Sequence, residues 1–274
     1  MTSTHHKIIF GDSQHMLELD DNSVHFAVTS PPYWCIKDYE HPGQIGFEQS
    51  YADYLAALRR VLSETHRVLC PGCRFALNIG DQYLRATEHG RYHVQPIPAD
   101  ISVIGREIGF DFMGQIIWKK ISTTKTSGGG ALMGSIYYPR DGQVTYEHEY
   151  IILFRKLGKS GPPSKEAREL SKMEKSERLT WFRGVWDDIH PVRMDKHIAM
   201  FPLELPRRLI KMYSFWGETI LDPFLGSGTT SAAAALMGRN SVGYEINADF
   251  EEVIADKIRK DGGEGEKEIE VVRR

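Results

Sequence analysis

The sequence predicts an α/β fold: a Rossmann-like, mostly parallel sheet with helices on both faces. Three observations predict it. Short apolar runs alternate with amphipathic stretches at three- and four-residue spacing, the pattern of strands joined by helices. Two of the apolar runs end in turns built from proline or glycine, and ligands of open α/β sheets sit at such strand ends. The 274 residues, 41% hydrophobic and 26% charged, have ordinary globular composition and suffice for one large domain.

The elements follow in order. Lys7 to Phe10 and Val24 to Val28 read as strands. Tyr51, Tyr54, Leu55, Leu58, Val61, Leu62 and Leu69 share one helical face, with Ser50 as N-cap. Arg74 to Ile79 is a strand closed by Gly80-Asp81, Pro98 to Ile108 a helix, and Gln115 to Trp118 and Glu149 to Phe154 are strands. Ser122 to Gly134, rich in Ser, Thr, Lys and Gly, predicts a mobile loop. Pro202 to Tyr213 is helical and Thr219 to Leu221 a strand. Thr229 to Met237 is an Ala-rich helix, Ser241 to Tyr244 a strand, and a last helix runs from about Ala248 to Ile258. From Lys260 onward the Gly- and Glu-rich composition predicts a disordered tail.

Net charge is -3, so a nucleic-acid partner requires local positive charge rather than one uniform basic face. Arg155 to Arg183 concentrates nine Lys and Arg residues. Taken alone, a solvated mixed-charge helical face is the plainer reading of this segment. Cys70-Pro71-Gly72-Cys73 has metal-ligand spacing, but there is no second pair to complete four ligands. Its Pro-Gly centre predicts a turn, and no metal is expected. Few cysteines, no membrane-length apolar stretch and no signal-like start predict a cytoplasmic protein.

The first motif is Asp222-Pro223-Phe224-Leu225-Gly226-Ser227-Gly228-Thr229-Thr230. It is a strand, a glycine turn and a helix start. Gly226 and Gly228 admit a ligand close to the backbone, and the helix N-terminus favours an anionic group. Glu245 ends the next strand, where an acid accepts both hydroxyls of a ribose. No Lys precedes Thr229, which excludes a P-loop, and Ser231 stands where a dinucleotide site has its third glycine. A nucleoside cofactor without pyrophosphate fits, and S-adenosylmethionine is expected. Asp222 would then meet its ammonium and the helix start its carboxylate.

The second motif is Thr29-Ser30-Pro31-Pro32-Tyr33-Trp34, also after an apolar strand. Two successive prolines hold the backbone extended. The Ser30 hydroxyl and the carbonyls of Ser30 and Pro31 become fixed acceptors for the two hydrogens of an exocyclic amine. Tyr33 or Trp34 can stack on the base that carries it.

These two motifs, in this order, resemble the β-class DNA amino-methyltransferases, in which the catalytic motif precedes the cofactor motif. The similarity runs from Ile9 to about Ile258. It implies a circularly permuted methyltransferase order and a site-specific enzyme that methylates double-stranded DNA by direct displacement. Ser-Pro-Pro-Tyr is the variant usual among N4-cytosine enzymes; N6-adenine methylation is the alternative. A non-catalytic DNA-binding regulator on the same scaffold is the alternative of another class, against which the intact Ser30, Pro31, Pro32, Asp222 and Gly226 count. The resemblance also implies that Gly11-Asp12 contacts the cofactor adenine. His197 to Pro202 would flank its methionine end, with Phe201 and Pro202 the better match. Tyr146 to Ile151 resembles the strand that precedes target recognition.

The chain accordingly divides into residues 1–155, the catalytic part; 156–193, a target-recognition insertion; 194–260, the cofactor-binding part; and 261–274, the tail. DNA contacts are expected from Trp34, Lys156, Lys172, Lys175 and Arg183, with the Ser122 to Gly142 loop helping. The short recognition region leaves open a homodimer, and the family a cognate restriction endonuclease acting on the same site.

Overall fold

The computed structural model describes residues 3–39, 41–120, 137–144, 146–190 and 201–274. Strands β1 (Thr4–Phe10) and β2 (Val24–Thr29) lead to helix α1 (Tyr51–Val68) and strand β3 (Leu69–Ile79). A small excursion follows: β4 (Gln82–Leu84), α2 (Ala86–His89) and β5 (His93–Gln95). Then come α3 (Ile97–Ile108), β6 (Phe110–Lys119), β7 (His148–Lys156), α4 (Lys165–Leu170), α5 (Lys175–Trp181) and β8 (Val185–Trp186). The chain ends with α6 (Glu204–Tyr213), β9 (Thr219–Asp222), α7 (Thr229–Leu236), β10 (Asn240–Glu245), α8 (Glu251–Asp261) and β11 (Lys267–Arg273).

Nine strands form one sheet in the order β11-β1-β10-β9-β2-β3-β7-β6-β8. All neighbours pair in parallel except at β7, which is antiparallel to both β3 and β6. The other strands therefore share one carboxyl end, which His148 joins and Lys156 opposes. Alternate side chains feed the two faces. Ala27, Phe75 and Leu77 pack under α1 and α3, against Tyr54, Leu58 and Ile101. Phe26, Val28 and Ala76 face α6 and α7, against Leu205, Leu209 and Ala233. Each large apolar side chain so buried contributes roughly 1.5–3 kcal/mol. Helix α1 starts as expected, since the Ser50 hydroxyl accepts from the Asp53 N–H at 3.1 Å.

Three expectations change. The tail is not disordered along its length: β11 pairs with β1 from Thr4↔Lys267 to Phe10↔Arg273. Ile269 and Val271 pack against the cluster of Ile8, Phe10 and Ile254, and that burial offsets the flexible glycines before them. Cys70 to Cys73 is not a free turn between elements. It lies inside β3, where pairing with β2 jumps from Val24↔Leu69 to Phe26↔Arg74. Proline and a Gly72 with φ of +82° fit the resulting bulge. The strand expected at Gln115 is longer, beginning at Phe110 with its own irregularity against β7. The Ser122 to Gly134 loop and His197 to Met200 lie outside the described residues. Among the described residues, no helix is long and apolar enough to cross a membrane.

Candidate active site

A cleft opens at the carboxyl ends of four neighbouring strands, where ligands of open α/β sheets bind. Gly11 and Asp12 follow β1, and Tyr244 and Glu245 end β10. Pro223, Phe224 and Gly226 follow β9, and Ser30 and Pro32 follow β2. Sheet order thus joins two motifs nearly 200 residues apart in sequence, because β9 pairs directly with β2 through Phe26↔Ile220 and Ala27↔Leu221.

Glu245 is built into this cleft. One carboxylate oxygen accepts from the Gly226 N–H at 2.8 Å and the other from the Asn247 N–H at 2.9 Å. A carboxylate offers about four acceptor sites, so each oxygen retains capacity toward the cleft. Burial pushes its pKa up to about 6, against the pull of these backbone donors. Gly226 has φ of +54°, and a Cβ built there meets nothing within 4 Å. Its position is a cradle that a side chain would fill. Asp12 turns both oxygens to Gln14, at 2.9 Å to the backbone N–H and 2.7 Å to the side-chain amide.

Asp222, expected to meet an ammonium, stands behind the cleft. It is 1% exposed and does not line the cleft. Its oxygens accept from the Thr29 and Thr230 hydroxyls, both at 2.5 Å, and from the Phe224 N–H at 3.0 Å. It thereby fastens the end of β2 to the start of α7, aligning the two motifs. Burial raises its pKa to about 6 against these hydrogen bonds. Ser227, Gly228 and Thr229 also stand behind the cleft rather than in it. The Lys257 ammonium donates to the Ser227 and Thr229 hydroxyls at 2.8 and 3.1 Å. Pro31 is buried, and Phe201 packs with Phe26 and Val28 on one sheet face, with Pro202 buried beside it; neither Phe201 nor Pro202 reaches the cleft.

In the Ser-Pro-Pro-Tyr segment, the Tyr54 hydroxyl donates to the Pro32 carbonyl at 2.7 Å and pins the second proline to α1. Tyr33 lies beside the cleft, its hydroxyl accepting from Asn78 Nδ2 at 3.1 Å. Trp34 is tied to its own loop and to α1. Its indole N–H donates to the Gln49 carbonyl at 2.9 Å, and its ring meets Tyr51 edge-on at 5.0 Å.

The far wall of the cleft is Lys37, Tyr39, Gln44 and Ile45. Sequence reasoning missed these, since an irregular loop has no periodicity to read. It also passed over Asn78 and Glu149 as site residues. A polar Asn78 within the apolar run Phe75 to Ile79 was the available signal.

The basic segment is placed differently from expectation. Lys156 ends β7 at the amino end of the parallel strands, and its ammonium donates to Asn22 Oδ1 at 2.8 Å and to the Arg67 carbonyl at 3.1 Å. Lys172 follows Ser171, whose hydroxyl accepts from the Trp216 N–H at 2.6 Å just before β9 begins. Lys175 opens α5 three residues later. These three lie one strand length from Ser30, on the order of 15–20 Å. Arg183, which is exposed, precedes β8, and β8 pairs with Ile117 and Trp118 near the carboxyl end of β6. Exchanging Lys172 and Lys175 for Glu is therefore expected to leave DNA affinity within about twofold and its salt slope unchanged. Fluorescence anisotropy across a salt series checks this; a tenfold loss with a flatter slope returns DNA contact to this segment.

The fold and cleft define a Rossmann-like α/β protein with a ligand cleft at its strand ends. The chain belongs to the DNA methylase family N6_N4_Mtase, which matches residues 24–256. It is 37% identical to the type II methyltransferase M.MjaI of Methanocaldococcus jannaschii, over 93% of this chain and 92% of that one. Identity to the type II methyltransferase M.MthZI of Methanothermobacter thermautotrophicus is 36%, over 94% of this chain and 77% of the other. Among solved structures, the putative DNA modification methylase TTHA0409 of Thermus thermophilus, complexed with S-adenosyl-L-methionine, is 35% identical with a TM-score of 0.80. The match covers 97% of this chain and 98% of that one.

Proposed function

We propose that this DNA methyltransferase transfers a methyl group from S-adenosylmethionine to the N4 amine of cytosine at a specific site in double-stranded DNA. The observation that carries the reading is that Ser30 and Pro32 line the same cleft as Gly226 and Glu245. The amine grip and the cofactor cradle share one space.

The cofactor fits the residues present. Glu245 supplies acceptors for a ribose diol, and Gly226 leaves the backbone open to close approach. When bound, S-adenosylmethionine supplies an electrophilic sulfonium methyl. The chain's own residues do the rest. Ser30, which lines the cleft, accepts a hydrogen bond from the amine, which turns the nitrogen lone pair toward the cleft. Such preorganised contacts carry catalysis by orientation and electrostatics. The target base must leave the duplex to reach Ser30, at a cost of about a few kcal/mol. A homodimer and a cognate restriction endonuclease are the protein partners this reading directs attention to.

Mass spectrometry of digested DNA from a host expressing the chain tests the base. N4-methylcytosine is the expected product, with cytosine C5 unmodified. N6-methyladenine as sole product overturns the base assignment and leaves the mechanism standing.

A further inference from the structure

Asn78 is the penultimate residue of β3 and only 2% exposed among apolar neighbours. A buried amide is costly unless its groups are bonded. Its Nδ2 donates twice, to the Tyr33 hydroxyl at 3.1 Å and to Glu149 Oε2 at 2.8 Å. Glu149, the second residue of β7, is 8% exposed. Its other oxygen pairs with the ammonium of Lys120, the residue after β6. Gly80 leaves the space: a Cβ there would stand 3.2 Å from Glu149 Cγ and 3.7 Å from the Tyr33 ring. Asn78 Oδ1 is buried with no hydrogen-bond partner among the described residues. Three strand ends thus converge on one tyrosine of the Ser-Pro-Pro-Tyr motif.

A carboxylate this buried is costly unless it is paired and hydrogen-bonded, and here only the carboxylate is buried, since the Lys120 side chain is 40% exposed. The position of Glu149 against Tyr33 suggests a use. We propose that Glu149 is a positioning residue for methyl transfer: through Asn78 it holds the Tyr33 hydroxyl beside Ser30 and fixes the wall against which the target base rests. This rests on the methyltransferase reading above.

The electrostatics agree with the geometry. Burial, then the Glu149 carboxylate, push the Tyr33 pKa well above the usual phenol range; Tyr39 adds to this, and Ser30 pulls the other way. Tyr33 therefore remains a neutral hydroxyl throughout any working pH.

The test uses the full chain with saturating cofactor and DNA. Glu149→Ala is expected to lower kcat about 10²-fold, the scale of a misplaced reacting group, with KM for S-adenosylmethionine within about twofold. Glu149→Gln recovers part of the loss, since its amide oxygen still accepts from Asn78. A second readout needs no activity. The 13Cζ resonance of Tyr33, identified by its absence in Tyr33→Phe, should shift at constant neutral pH in Glu149→Ala, and by less in Glu149→Gln, because the hydroxyl is held by Asn78, which Glu149 anchors. Unchanged kcat overturns the proposal. So does an unchanged Tyr33 resonance in Glu149→Ala, or a kcat loss matched by equal losses in cofactor affinity and melting temperature. If the parent chain methylates no DNA, the functional reading fails, and the Tyr33 resonance at constant pH still decides whether Glu149 holds this tyrosine.

Discussion

Ser30→Ala is expected to retain cofactor and DNA binding and to lose about 10²-fold in turnover, the usual effect of removing one preorganised polar contact. The residue follows β2 at the mouth of the cleft, and its neighbours are held from behind. Thr29 is bonded to Asp222 and Pro32 to Tyr54. Deleting one hydroxyl therefore leaves the backbone in place, and the loss falls on kcat. Ser30→Asp should keep some activity, because a carboxylate can accept the same hydrogen. Steady-state kinetics with separate binding measurements check both variants. Full activity in Ser30→Ala removes the catalytic role assigned to it.

Gly226→Val is expected to weaken S-adenosylmethionine binding by at least about 10²-fold. Two effects act together. A β-branched residue at φ of +54° is strained by about 1–3 kcal/mol. Its side chain also projects into the open space beside the Gly226 N–H that holds Glu245. Gly228, two residues on, offers a contrast. Its Cβ would stand 2.9 Å from Ile254 Cγ2, so Gly228→Ala should lower the melting temperature through packing between α7 and α8. Calorimetry with thermal unfolding separates the two. Unchanged affinity in a folded Gly226→Val protein would sink this placement of the cofactor.

The limits of sequence reading show in individual residues. Glu245 and Gly226 were legible because a strand, a glycine turn and an acid on the next strand form a local pattern. Asp222 was legible as part of the motif but not in its place behind the cleft. Only its burial between Thr29 and Thr230 shows that both oxygens are already committed. The sequence shows Trp34 as an aromatic beside the motif; only the fold shows its indole N–H bonded to Gln49 and its ring against Tyr51. The basic run near Lys172 was visible as charge, but β7 runs against its neighbours and delivers the chain to the far end of the sheet.

By itself the sequence determined the class of fold, the two motifs and their order, because periodicity and turn chemistry are local properties of the chain. It also determined where α1, α3 and α7 form, since the Ser50 cap and apolar spacing mark α1, Pro98 the start of α3, and the Gly228 turn and alanine run mark α7. Only the tertiary structure decided which residues meet. The pairing of β9 with β2 brings Ser30 to Gly226. The reversal of β7 carries Lys156 away from the cleft and Glu149 to the Tyr33 side of β3. Strand order and direction arise from long-range hydrogen bonding and burial, which no window of neighbouring residues contains.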